Sequence, residues 1–166
     1  MTSSRAHFRS RFGLIAVAGL VAVGMISWVP TAGSGTKRWF SATERCVMKE
    51  INDVRARNGL HPINWDRQLG FLARRHARTI ARAGGLWHDN NLGDKVTRWR
   101  RLGQNTGRGG PCRRIMRTFM GSYEHRDNIL GRWRFMGVGT KWAGHRLYVQ
   151  QVFEARKNPG NTYHRP

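Results

Sequence analysis

Glu124, His125, Arg126, Asp127 and Asn128 are consecutive: an acid, an imidazole, a guanidinium, a second acid and an amide. Such a run can shuttle protons or hold a cation near neutral pH, or it can be a polar turn that organises a fold. The chain has seven histidines. His76 falls inside an apolar helical stripe, where an imidazole is usually a satisfied core residue. His145 sits in a turn, His61 and His164 flank a proline or the tail, and His7 lies in the N-terminal segment. That leaves His88, just after Gly84-Gly85, and His125. Both fall on connecting segments, where sites are commonly built. Two imidazoles can ligate zinc or copper, but no H-x-x-x-H or C-x-x-C spacing links this pair. Ser122 lacks a G-x-S-x-G setting and reads better as a cap of the turn holding His125 than as a nucleophile. The glycines of "TGRGG" follow no strand and precede no Lys-Ser/Thr, which argues against a phosphate loop.

The elements that must position these side chains follow from periodicity and caps. Ser41 with Glu44 three residues on is a capping box. Val47, Ile51 and Val54 then recur at helical spacing, and Asn58-Gly59 is a stop, predicting a helix over 42–57. "HPINW" reads as a short extended link, because His61 precedes a proline. Asp66 caps a second helix with Leu69, Leu72, Ala73, His76, Ala77 and Ile80 on one face. Its arginines, Arg67, Arg74, Arg75, Arg78 and Arg82, fall mostly elsewhere on the wheel. The Gly- and Asn-rich segment that follows carries a short helix near 96–101. Pro111 opens a third helix at its first position. "HRDNIL" is a separate turn of helix. "FMGVGTKW" and "RLYVQQVFEA" are two strands joined at Ala143-Gly144-His145, with Leu147, Val149, Gln151 and Phe153 on one face. Helices first and a hairpin last make an α+β pattern.

Length and charge set wider bounds. At 166 residues the chain holds one domain with a core, here expected over 41–155, followed by a polar tail over 156–166. The formal charge is +21, and only five of the thirty basic residues are lysines. Such a field attracts nucleic acid, anionic lipid or acidic wall polymer; an arginine bias spread over a solvated surface is the competing reading. No recognition motif supports specific nucleic-acid binding. Arg5, Arg9 and Arg11 precede an uncharged apolar run over 13–28, then Pro30 and a row of small residues. This is the layout of a secretory signal over 1–33, followed by a linker over 34–40, with an uncleaved anchor as the alternative. Arg9 and Arg11 are not adjacent, which argues against a twin-arginine signal. An exported chain with two cysteines, Cys46 and Cys112, is expected to bridge them.

"GLHPINWDRQLGFLARRHA", "GGLWHD", "RLGQN", "FMGSYEHRDNIL", "FMGVGTKW" and "LYVQQVF" occur in that order. Together they resemble the bacterial branch of the CAP superfamily, which unites cysteine-rich secretory, antigen and pathogenesis-related proteins, over roughly residues 45–154. The likeness is greatest to exported actinobacterial members. It implies an α-β-α sandwich with a small antiparallel sheet, and an extra strand near 104–107 that composition does not reveal. It also implies a cleft of two histidines and acidic residues that binds a divalent metal, such as zinc, in several members. The histidines match His88 and His125, and the acid of the family's G-E-N motif falls on Gln104. Glutamine supplies no charge and no general base. Glu124 is the neighbouring acid that would partly compensate. The substitution argues against an enzyme and for weak metal binding by His88 and His125. Arg126 and Asn128 are expected to tie their turn to neighbouring loops.

The functional expectation is a secreted, non-enzymatic binding domain at or outside the cell envelope, acting as a monomer. Its partner would be an anionic lipid or wall polymer, or a host or envelope protein. A metal-dependent hydrolase using His88 and His125 is the alternative, and charge-driven nucleic-acid binding the second.

Overall fold

The computed structural model describes residues 40–155. The expected signal segment, almost all of the linker and the tail lie outside that range. The first helix, α1 (Ala42–Arg57), starts at its capping box: Ser41 Oγ accepts from Glu44 N at 3.0 Å and Glu44 Oε2 from Ser41 N at 2.9 Å. Asp66 Oδ1 accepts from Leu69 N at 2.9 Å and opens α2 (Arg67–Ala83), which Gly84 ends in the left-handed region. Pro111 is the N-cap of α4 (Cys112–Gly121), one place before the expected first turn. The short helix after α2, α3, spans Leu92–Lys95, so the expected helix over 96–101 is absent. There Arg98 takes a positive φ, which breaks helical continuation. Ser122 precedes α5 (Tyr123–Leu130) but caps it without its side chain; only its carbonyl is used, by Arg126 N at 2.9 Å.

The strands are β1 (Asn64–Trp65), β2 (Leu102–Gly109), β3 (Phe135–Ala143) and β4 (Arg146–Glu154), in the order β1-β3-β4-β2. β2, β4 and β3 pair antiparallel, but β1 runs parallel to β3, so the sheet is mixed rather than wholly antiparallel. The extra strand expected near 104–107 is β2, and the "HPINW" link, expected to be only an extended connection, supplies β1.

Strand alternation sends side chains to two cores. Met136, Val138, Leu147, Val149 and Phe153 meet Val47, Ile51, Ile115 and Phe119 of α1 and α4 on one face. Val152 meets Leu69, Leu72 and Ala73 of α2 on the other. The result is the expected α-β-α layering. Cys46 of α1 and Cys112 of α4 form the expected disulfide, with a Cα–Cα distance of 6.2 Å.

Two arginines act in ways the sequence did not reveal. Arg74, expected on the exposed face of α2, makes a two-point ion pair with buried Glu44, Nε to Oε1 at 2.7 Å and Nη2 to Oε2 at 2.9 Å. It thus joins helices on opposite faces of the sheet. Arg55 is only 3% exposed, and donates to the carbonyls of His61 (3.0 Å), Ile129 (2.8 Å) and Gly131 (2.8 Å). It ties α5 to α1, the role expected of Arg126, whose side chain is exposed. Asn128 does bind a neighbour, but the neighbour is strand β2 rather than a loop.

Candidate functional site

The edge strand β2 organises the candidate cleft. Its register sets Gln104, Asn105 and Thr106 against Val152, Gln151 and Gln150 of β4. Gln150 and Gln151 are both fully buried, so their amides need partners. Gln150 accepts from the Thr106 hydroxyl and donates Nε2 to Gln104 Oε1 at 2.8 Å. Gln151 accepts from Asn105 Nδ2 at 3.0 Å and donates to Met116 Sδ at 3.2 Å. Two adjacent glutamines inside an apolar strand were the signal for this buried ladder. Its members Thr106 and Gln150 are the site residues that sequence reasoning missed.

Both histidines meet the ladder at Thr106. His88 Nδ1 lies 3.2 Å from Thr106 Oγ1, at the end of the segment that leaves α2. His125, on α5, lies beside the Thr106 backbone, and its own carbonyl accepts from Asn105 Nδ2 at 3.0 Å. Its Nδ1 is buried without a hydrogen-bond partner, next to the Phe119 ring at 4.9 Å between centroids. Burial first, and the nearby His88 second, push the His125 imidazole below its ordinary value of 6.5; Glu124 and the Thr106 backbone pull weakly the other way. Glu124 itself is exposed. His76 is the core histidine expected, with Nε2 at 2.8 Å from the Trp87 carbonyl.

Both ends of the Gln104 amide are engaged. Its Oε1 accepts from Asp89 N at 3.1 Å as well as from Gln150, and its Nε2 donates to the Asp89 carbonyl at 3.1 Å. This amide-to-backbone pair clamps the His88–Asp89 segment onto β2. The Asp89 carboxylate is held by Lys95. Among the described residues no three ligating side chains converge on one point. A catalytic zinc takes three protein ligands, so two imidazoles do not fit a firmly held divalent ion.

Two expected results test this geometry. Gln104→Glu keeps both acceptor contacts but sets a carboxylate against the Asp89 carbonyl, destabilising the fold by about 1–3 kcal/mol. Released from Asp89, that carboxylate adds a third ligand, so calorimetric titration should show zinc binding at least ~10-fold tighter than in the wild type. Equal zinc affinity in the two proteins would show that the residue does not control the ion. The second result concerns pH. Because the folded chain holds His125 neutral, the unfolded chain takes up its proton first as pH falls through about 6.5. The stability linked to neutral His125 is present above that pH and drains away below it. Melting temperature should fall from about pH 7.5 to 5.5, and less steeply in His125→Gln; parallel slopes would refute the assignment.

The α-β-α layers around a small four-stranded sheet are those of a CAP-type domain. The family model described as the cysteine-rich secretory protein family matches residues 48–153, and the chain belongs to that family. Its fold is similar to that of an outer surface protein from Borrelia burgdorferi, with TM-score 0.62 and 14% identity over 68% of this chain and 92% of that one. It is similar to an extracellular protein containing a SCP domain from Bacillus anthracis, with TM-score 0.62 and 22% identity over 69% of this chain and 40% of that one. A cysteine-rich secretory protein from Staphylococcus aureus gives TM-score 0.61 and 18% identity over 69% of this chain and 38% of that one. The chain thus spans well under half of the last two proteins. No curated protein matches the chain at a significant level.

Proposed function

We propose that the chain is a non-enzymatic binding module that works outside the cell or at its envelope and engages an anionic lipid or an acidic wall polymer. The observation that carries this reading is how the carboxylates are used. All nine acidic residues of the sequence fall within 40–155. Glu44, Glu50, Asp53 and Asp89 are in ion pairs with basic residues, and Asp66 caps α2. Few negative groups remain to offset a surface on which Arg75, Arg78, Arg82, Arg100 and Arg101 are exposed. Such a surface binds polyanions by releasing their counterions. The commitment of Gln104 to Asp89 further supports a binding role over a hydrolytic one. Export is supported by the signal-like N-terminus and by the disulfide, which suits oxidising compartments. Among the described residues no helix is long and apolar enough to cross a membrane.

The alternative is a metal-dependent hydrolase centred on His88 and His125, and the orphaned His125 Nδ1 is the observation in its favour. Sedimentation with anionic vesicles and with purified wall separates the readings. Binding should decline steeply as salt rises and persist in the double variant His88→Gln/His125→Gln. Salt-resistant binding lost in that double variant would assign the partner to the cleft. Arg74 is excluded from any charge-removal variant, because its loss would strand Glu44.

A further inference from the structure

A large groove among the described residues lies away from the two histidines. It encloses about 970 Å³ at the end of the sheet where β2 and β3 begin and β4 ends. Its walls carry Arg100, Arg101, Arg132, Arg134 and His61, with Arg55 in its lining, and no carboxylate lines it. We propose that this groove is a binding site for a linear phosphate chain, with the phosphates held by Arg100, Arg101, Arg132 and Arg134 above the buried charge of Arg55. The proposal rests on the polyanion-binding reading above and gives it a place and a ligand class.

Arg55 is the first argument. A buried charge is normally paired, yet this guanidinium is 3% exposed and its partners are three neutral carbonyls. Residues 1–39 and 156–166 contain no aspartate or glutamate to pair with it. An anion entering the groove lies over this uncompensated positive charge, where water screens it less than at the surface.

Preorganisation is the second. The Arg101 guanidinium lies 4.5 Å from the centre of the Trp133 ring, and that ring stacks with Phe153 at 5.9 Å between centroids. One Arg101 nitrogen also donates to the Arg132 carbonyl at 2.9 Å. The Arg134 backbone is fixed between strands, its N–H donating to the Glu154 carbonyl and its carbonyl accepting from Asn64 N, each at 2.9 Å. A side chain held before binding loses less freedom when the ligand arrives.

The chemistry of the walls selects the ligand. Guanidinium forks bind both carboxylate and phosphate, but a planar carboxylate suits one fork. A phosphate in a chain offers oxygens in several directions and suits forks converging from different walls. The groove's volume of about 970 Å³ and its four wall arginines favour several phosphates in series over a single ion. Arg55 lines the groove yet is only 3% exposed, so a flexible chain reaches it more readily than a flat headgroup layer does. Membrane-surface binding also draws on inserted apolar side chains. The exposed large ones here, Phe71, Leu86, Trp87, Trp99, Tyr123 and Trp142, all lie outside the groove.

The test compares two triple variants of the chain as the cell produces it, each losing three charges. Arg100→Gln/Arg132→Gln/Arg134→Gln empties the groove walls and leaves Arg55 and Arg101 in place. Arg75→Gln/Arg78→Gln/Arg82→Gln removes the same charge from α2. The probes are inorganic polyphosphate, orthophosphate, polyglutamate, phosphatidylglycerol vesicles and purified wall. Near about 50 mM salt, polyphosphate affinity should fall at least ~30-fold in the groove variant and at most ~3-fold in the α2 variant. The salt slope should flatten by about one unit per phosphate-contacting arginine removed. Orthophosphate should compete only weakly. Arg134→Gln alone serves if the groove triple variant melts early, and it should still cost about 3-fold or more. Equal losses in the two triple variants would overturn the groove and leave a diffuse field. Polyglutamate bound as tightly as polyphosphate would overturn the ligand class. Wild-type binding to vesicles or purified wall but not to polyphosphate would overturn this proposal and spare the broader reading; binding to none of them would end both.

Discussion

Replacing Cys46 and Cys112 together by alanine should lower stability by about 4 kcal/mol, the chain-entropy value for a loop of this size. The bridge closes a loop of 66 residues and joins α1 to the first residue of α4. Those two helices carry Val47, Ile51, Ile115 and Phe119, the half of the larger core that packs on the sheet. Without the bridge the unfolded chain regains the freedom the loop had removed, while the folded contacts are unchanged. For a domain of this size the melting temperature should fall by roughly 10–20 °C. Reducing the wild type should reproduce most of the fall. A drop of under about 1 kcal/mol would mean that the unfolded chain is already compact around this pair.

Gly139→Ala should be damaging on a similar scale. A Cβ built at Gly139 would stand 2.2 Å from the backbone of Ala73, and one at Gly137 would stand 2.1 Å from that of Leu69. Helix α2 therefore rests directly on the bare backbone of β3. Backbone cannot rotate away as a side chain can, so the whole helix must lift. Lifting it strains the Arg74–Glu44 pair and opens the Leu69–Ala73–Val152 core. The expected loss is about 3 kcal/mol or more, beyond the usual range for overpacking, or failure to accumulate folded protein. Gly121→Ala is the control: a Cβ there meets nothing within 4 Å, and the residue closes α4. That change should be neutral or slightly stabilising. Denaturant midpoints for both variants decide the matter; a mild effect at Gly139 would show that α2 slides freely over the sheet.

What was legible in the sequence was mostly local. The capping box at Ser41 and Glu44, the cap at Asp66 and the glycines at 84 and 85 bounded α1 and α2 correctly, because caps act within one turn. The hairpin was legible because Leu147, Val149 and Phe153 alternate with Tyr148 and Val152. β2 was not, since "LGQNTGRG" has the composition of a loop. It becomes a strand only because β4 lies beside it in register, and its Gly107 is required by the Phe119 ring, 2.5 Å from where a Cβ would stand. That is tertiary context overriding local preference. β1 has the local pattern of a link and becomes a strand for the same reason, by pairing with β3. At the candidate site His88, Gln104 and His125 came from family resemblance, and the structure gathers them around Thr106. No local pattern could say that Gln104 would turn toward the Asp89 backbone, or that Arg55 rather than Arg126 would hold α5.

The contact between α5 and β2 also bears on how copies of this protein behave when crowded. A strand at the rim of a sheet offers its outward backbone groups to any strand that drifts past, a common route to sticking between molecules. Here Asn128 Nδ2 takes the Gln104 carbonyl at 3.0 Å and His125 stands at the Thr106 backbone, so part of that rim is already occupied. The polar run from Glu124 to Asn128 therefore does a bumper's work. It keeps part of the exposed border of the sheet from becoming a template for its neighbours.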